Sequence, residues 1–134
     1  MKSSSCIFII FTCIILSACS VQHSKTPDEI VKGWYQYFIV DGNFAEAVEL
    51  LSSESYESKG YSKQEVIDGL EKLEQPFVKP IIKDVQVTKQ TNEKSTVTYT
   101  VEAPIVGENT ESIDLVKEKG EWKIIAPDHW FAPK

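Results

Sequence analysis

Val97-Thr98-Tyr99-Thr100-Val101 alternates apolar or aromatic side chains with threonine at every step. Successive side chains of a β-strand point to opposite faces of the sheet, so this alternation predicts a strand with one apolar and one polar face. β-Branched and aromatic residues are also the types that strands favour. The stretch therefore predicts a sheet that is covered on one face, and the rest of the chain has to supply both the partner strands and the cover.

Partner strands are indicated by the same alternation on either side of this stretch. It recurs in three further segments, which are residues 84–88, 112–116 and 122–125. Turn residues at 91–94 and the pair Lys119-Gly120 join strands into antiparallel hairpins, and residues 104–109 predict a longer loop. The side chains that this parity directs toward the cover are Val85, Val87, Val97, Tyr99, Val101, Ile113, Leu115, Trp122 and Ile124.

The cover is predicted to be three helices that precede the strands. Their start signals, each a capping residue followed three positions later by Glu, are Thr26-Pro27-Asp28-Glu29, Asn43 with Glu46, and Ser62 with Glu65. Gly42 and Pro76 end the first and third helices, and the polar residues 52–60 predict a loop. This order indicates an α+β domain, with three N-terminal helices packed on one face of a curved antiparallel sheet of about four strands.

The N-terminal segment has the layout of an export signal. Lys2 precedes an apolar run over residues 6–16, which is shorter than the roughly 20 residues that a membrane-spanning helix needs. The run ends in Leu16-Ser17-Ala18-Cys19, which resembles the lipobox of bacterial lipoproteins at all four positions. An ordinary cleaved signal with a chance cysteine is the alternative.

The lipobox resemblance implies that residues 1–18 form a signal peptide that is removed and that Cys19 then carries the lipid, such as palmitate. Residues 19–26 would be the lipidated Cys and a short tether, and residues 27–134 the domain. The protein would be attached to a membrane through its N-terminal lipid. We expect the outer membrane in a Gram-negative host and the outer face of the plasma membrane in a Gram-positive host.

Composition excludes several classes of function. The net charge is −6, loss of Lys2 with the signal leaves it near −7, and the chain contains no Arg, so nucleic acid is not an expected partner. Cys6 and Cys13 lie in the signal, which leaves Cys19 alone and excludes a disulfide framework or a Cys-based metal site. Neither a metal-ligand cluster, nor a nucleophile–base pattern, nor a Gly-rich phosphate loop is present, so no cofactor is expected.

Four segments of the sequence together resemble one fold family. They are the opening Thr26-Pro27 helix with Trp34 and Phe38, the link Gly42-Asn43-Phe44-Ala45-Glu46-Ala47, the strand Val97-Thr98-Tyr99-Thr100-Val101, and the closing Leu115-Val116-Lys117 with Gly120-Glu121-Trp122-Lys123-Ile124. The order resembles the nuclear transport factor 2-like fold, the cone-shaped fold of ketosteroid isomerase, and most of all its small bacterial lipoproteins, mostly of unknown function. The resemblance implies a cone with space between helices and sheet, and it implies no function.

Strand parity predicts no catalytic residue on the inner face of the sheet. The acids Asp84, Glu102 and Asp114 fall on the polar face, and Tyr99 is the only inward side chain with a polar tip. A general base would have to come from a helix or loop, where Asp41 is the only obvious helix candidate, and it is interpreted as a solvated residue at a helix end. Adjacent residues on a flexible tail rarely hold acid–base geometry, so Asp128-His129 is not assigned a catalytic role. We therefore expect no single acid or His to be essential.

The aromatic residues Trp34, Tyr37, Phe38, Tyr99 and Trp122 have two interpretations, as core or as the wall of an apolar ligand pocket with Tyr99 as its hydrogen-bond anchor. The leading hypothesis is a non-enzymatic binding or interaction module for a small apolar ligand or an envelope protein. The alternative is a small enzyme of the ketosteroid-isomerase type that acts on an apolar substrate. A third hypothesis is a structural accessory domain. A homodimer through the outer face of the sheet is a further expectation.

Overall fold

The computed structural model describes residues 23–76 and 78–131. The predicted signal peptide, Cys19 and the first part of the tether lie outside the described residues. The helical elements are α1 (Pro27–Tyr35), a π-helical segment (Gln36–Asp41), α2 (Phe44–Glu49), α3 (Ser53–Glu57), α4 (Lys63–Glu71) and a terminal 3-10 helix (Asp128–Trp130). The strands are β1 (Ile81–Gln90), β2 (Lys94–Ala103), β3 (Gly107–Glu118) and β4 (Glu121–Ile124).

The four strands form one antiparallel sheet in the order β1-β2-β3-β4, which is curved and does not close. Lys119 and Gly120 have φ angles of 50° and 81°, as the predicted tight hairpin turn between β3 and β4 requires. The predicted α+β class and four-stranded antiparallel sheet are confirmed.

The inner face of the sheet carries the core, as the parity of β2, β3 and β4 predicts. Its buried side chains are Val97, Tyr99, Ile113, Leu115, Trp122 and Ile124. Strand β1 departs from the prediction, since Val85 is half-buried and Val87 is 37% exposed. β1 is an edge strand with irregular register between Lys83 and Gln86 and again after Val87, and such bulges turn side chains away from regular alternation.

Helix α1 lies across the inner face and contacts β1, β2 and β4. Its predicted start is present, because the Thr26 backbone N–H donates to Glu29 Oε2 at 2.8 Å. After Tyr35 the helix continues as the π-helical segment, and Gly42 ends it in the left-handed conformation with φ 63°. The wider π turn changes which side chains face the sheet, a change that regular helical spacing does not predict.

Two predicted loops are partly regular structure. Residues 52–60 contain the short helix α3, and its Tyr56 side chain is buried in the core. The Ala126 N–H donates to Ser55 Oγ at 3.1 Å and so joins the segment after β4 to this helix. Of residues 104–109, only residues 104–106 form a turn, because Ala103 of β2 already pairs with Gly107 of β3. Strand β3 therefore begins earlier than its apolar residues indicate.

The helical layer is tied to the last strand by backbone hydrogen bonds. Leu51 forms an isolated parallel bridge with Ile124; the Ser52 N–H donates to the Ile124 carbonyl at 2.7 Å, and the Ile124 N–H donates to the Leu50 carbonyl at 2.8 Å. Within residues 23–76 and 78–131, no helix has both the length and the apolar character to cross a bilayer.

Candidate ligand cavity

A cavity of about 390 Å³ lies between the helical layer and the inner face of the sheet. Cavities that hold small molecules range from about 300 to 1,000 Å³ and are mainly apolar with a few polar groups, which is the character found here. Aliphatic side chains of α2, α4 and β2 contribute to the lining. The aromatic residues that line it are Trp34, Tyr35, Phe38, Tyr99, Trp130 and Phe131.

Three stacked rings form one wall of the cavity. The Trp34 ring lies in the middle, with its centroid 4.9 Å from that of Trp130 at an interplanar angle of 10°, and 5.2 Å from that of Phe38 at 14°. Phe44 meets the outer side of Phe38 edge-on, with centroids 5.7 Å apart. The stacking covers both faces of Trp34 and fixes the tilt and spacing of the three rings.

The chain's tail supplies part of this wall. The terminal 3-10 helix carries Trp130, and it is held by a 2.7 Å ion pair between Lys59 Nζ and Asp128 Oδ1. Phe131 packs at 5.8 Å on the ring of Tyr61. The sequence marks the tail as aromatic, but it does not show that the tail folds back onto α1, so Trp130 and Phe131 were not predicted as site residues.

A tyrosine–carboxylate pair is the main polar feature of the cavity. Tyr99 and Glu111 are directly opposite in the β2–β3 ladder, and the Tyr99 hydroxyl donates to Glu111 Oε2 at 3.1 Å. Asn109 Nδ2 donates to the other carboxylate oxygen at 3.0 Å. Burial raises the pKa of Tyr99 well above its usual range, and the negative charge of Glu111 raises it further, so Tyr99 is a protonated donor at neutral pH.

Glu111 corrects the prediction that no carboxylate lies on the inner face and that Tyr99 is its only polar tip. The predicted third strand began at Ser112, whereas β3 begins at Gly107 and keeps the alternation through Asn109 and Glu111. Side chains two positions apart on a strand share a face, so the inward orientation of Ile113 implies that Glu111 also points inward. The polar composition of residues 107–111 hid this signal, because it is typical of a loop.

Tyr35 is a second polar group that was not predicted. It lines the cavity at the junction between α1 and the π-helical segment, its side chain is 8% exposed, and its hydroxyl has no hydrogen-bond partner among the described residues. Burial raises its pKa. A buried hydroxyl without a partner destabilises a fold by about 1–3 kcal/mol.

The predicted pocket residues separate into two groups. Trp34, Phe38 and Tyr99 line the cavity, whereas Tyr37 is half-buried and lies outside the lining. Trp122 lies on β4 and belongs to the hydrophobic core. Lys117 Nζ lies 5.3 Å from the centroid of its ring. Tyr35 is the last residue of α1 and follows the buried Val31 by four positions, so regular helical spacing accounts for its place in the lining.

The acids on the polar face of the sheet lie away from the cavity. Asp84 is exposed in the first bulge of β1 with a φ angle of 54°. Asp114 is exposed and accepts a hydrogen bond from Thr96 Oγ1 at 2.7 Å, and Glu102 accepts one from Lys83 Nζ at 3.0 Å. The outward orientation of Asp114 and Glu102 is as strand parity predicts, whereas Asp84 lies in the bulge, where regular alternation is interrupted.

The acids of the helix end and the tail are also solvent-facing. Asp41 is exposed at the end of the π-helical segment, where its Oδ1 accepts from Gln36 Nε2 at 3.0 Å. Asp128 is bound to Lys59, and its neighbour His129 is exposed. Among the residues that the structure describes, no group of three His, Cys, Asp or Glu side chains could hold a metal ion.

A scan against models of known protein families finds none that matches this chain, and a search of curated proteins finds no significant match. The function is therefore argued from the cavity and from the residues around it.

Proposed function

We propose that this chain is a membrane-anchored envelope lipoprotein of the nuclear transport factor 2-like type, whose domain binds a small apolar ligand without chemical change. The observation that carries the binding role is the cavity of about 390 Å³ beside the stacked Trp34, Phe38 and Trp130 rings. The match of Leu16-Ser17-Ala18-Cys19 to the lipobox supports the anchor. Two or more acyl chains on Cys19 would give stable attachment.

The surroundings of the cavity support an apolar ligand. Leu73 lines the cavity and is 55% exposed. An apolar ligand that contacts this side chain would remove apolar surface from water, which is favourable. The interior then offers flat rings and only a few polar groups that could fix orientation.

Native mass spectrometry of the lipoprotein extracted from membranes tests the proposal. We expect a bound small molecule that is lost from Val101→Trp, because Val101 lines the cavity and a larger ring would fill it. Val87→Trp is the matched control, since Val87 lies on the edge strand outside the lining. A wild-type protein that carries nothing and takes up no apolar compound would rule out the binding role.

A second candidate, an enzyme of the ketosteroid-isomerase type, is favoured by the Tyr99–Glu111 pair. A carboxylate within reach of a bound substrate can act as a general base. Against this role, both Glu111 oxygens already accept hydrogen bonds and the side chain is exposed to solvent. Base-catalysed exchange of the α-protons of a bound apolar ketone, lost in Glu111→Gln, would move the enzyme ahead of the binding module.

A further inference from the structure

We infer that the cavity selects apolar molecules that carry a positively charged amine, and rejects those that carry a carboxylate. This inference rests on the proposed binding function and names the chemical class of its ligand. Its basis is the charge and the ring composition of the lining, taken together with the position of Glu111.

The lining has a single formal charge among its described residues, and that charge is the carboxylate of Glu111. Its two oxygens accept hydrogen bonds from Tyr99 and Asn109, which are both neutral donors, so no described lysine neutralises it. Lys79 precedes the lining residue Pro80, but its ammonium group donates to the Val40 carbonyl. An ammonium group on a ligand is therefore the natural counter-charge for Glu111.

The aromatic wall favours the same charge. A cation is attracted to the face of an aromatic ring, most strongly to Trp, and the attraction grows when water is excluded. Trp34 is covered on both faces, by Trp130 and by Phe38, so among the stacked rings Trp130 is the tryptophan that keeps one face uncovered by another described ring, and it lines the cavity. A carboxylate would meet the charge of Glu111, and it would find no described lysine in the lining.

The Tyr99 hydroxyl fits an amine donor. Tyr99 uses its proton in the hydrogen bond to Glu111, so its oxygen remains available as an acceptor. An alkylammonium head has three N–H donors and can use the Tyr99 oxygen and the Glu111 carboxylate at once.

Three water-soluble compounds of equal chain length test the inference: hexylammonium, 1-hexanol and hexanoate. Each is titrated onto the lipoprotein in nanodiscs, with empty nanodiscs as the reference, and binding is followed by tryptophan fluorescence and by saturation-transfer NMR. We expect hexylammonium to bind up to about fivefold more tightly than hexanol, as an ion pair with an exposed carboxylate allows. Hexanoate is expected to bind most weakly.

Variants separate the local charge from the overall acidity of the protein. Glu111→Gln is expected to abolish the preference for hexylammonium, and Glu111→Lys to transfer it to hexanoate. Glu108→Gln removes the same charge from the outer face of the same strand, where Glu108 pairs with Lys83, and should leave the preference unchanged. Circular dichroism confirms that each variant is folded.

The outcomes distinguish this inference from the function on which it rests. Equal or tighter binding of hexanol or hexanoate would leave the binding module intact and overturn the selectivity for amines. A loss of preference in Glu108→Gln equal to that in Glu111→Gln would assign the effect to net charge and also overturn it. Binding of none of the three compounds would contradict the proposed function itself.

Discussion

Trp122 is the largest side chain of the inner face of the sheet, and it is 6% exposed. We expect Trp122→Ala to lower the free energy of unfolding by about 3–5 kcal/mol, because removal of a large buried ring leaves a void that the core fills only in part. Urea denaturation measures the change. Trp122→Phe should be milder, and a loss below about 1 kcal/mol for Trp122→Ala would show that the ring does not lie in the core.

Asp128 makes the tail of the chain sensitive to acid. The hydrogen bond and charge of Lys59 lower the pKa of this carboxyl below its usual value of 3.8, so the contact stabilises the fold above that pH and is lost as pH falls through the lower value. We expect the fluorescence of the stacked Trp34 and Trp130 to change as pH is lowered below 3.8.

Asp128→Asn is the control for this titration. The variant lacks the titrating group and should show the loosened tail already at neutral pH, with little further change in acid. A wild-type fluorescence signal that is flat down to acid unfolding, and equal to that of the variant, would show that the ion pair does not hold the tail.

The β2–β3 hairpin contains a strained residue at its tip. Ile105 has a φ angle of 75° and a fully exposed side chain, although the left-handed region disfavours β-branched residues. We expect Ile105→Asn to stabilise the domain by about 0.5–1 kcal/mol, because Asn tolerates this conformation and no packing is lost.

The neighbouring Val106 provides a matched control for the hairpin. It is also exposed, but its φ angle is not positive, so Val106→Asn relieves no strain. Thermal unfolding of the two variants measures the difference. If Ile105→Asn is no more stable than Val106→Asn, the strain at the tip contributes nothing to stability.

The elements that could be predicted from the sequence are those in which local signals and packing agree. Strand β2 alternates without interruption, and the turn at Lys119 and Gly120 has the backbone that its residues favour. The first part of β3 could not be read in this way, because its residues are polar and its position is set by pairing with β2. Glu111 was missed for that reason.

The helical side of the site shows a different limit. The spacing of apolar residues predicts a continuous α-helix through Phe38, and the start and end of that helix are as expected. The change to a π-helical segment after Tyr35 has no sequence signal that we recognise, since it depends on how α1 packs over the sheet. Tyr35 precedes this change and lies four positions after the buried Val31, so its inward position follows from regular helical spacing, which was not extended to it.

Attachment of the whole molecule is predicted to depend on Cys19. Cys19→Ser should abolish incorporation of radioactive palmitate and release the protein from the membrane fraction, because only a thiol can form the thioether to the lipid. Ser20→Ala, a change at the adjacent position, should leave both unaffected. Label uptake or sedimentation with membranes in Cys19→Ser would overturn the lipoprotein assignment.

The order in which the chain folds depends on contacts between distant segments, such as those of Leu51 with Ile124 and of Trp34 with Trp130. The meander pairs neighbouring strands, whereas the contact between Ser55 and Ala126 closes a separation of 71 residues. Long-range contacts form late, since the entropy of loop closure must be overcome first. During vectorial synthesis, α1 therefore has no completed surface on which to dock until residues 122–131 have emerged. A chain that we propose is exported would thus remain loosely structured, and suited to passage through a narrow translocation channel, until those residues have been synthesised.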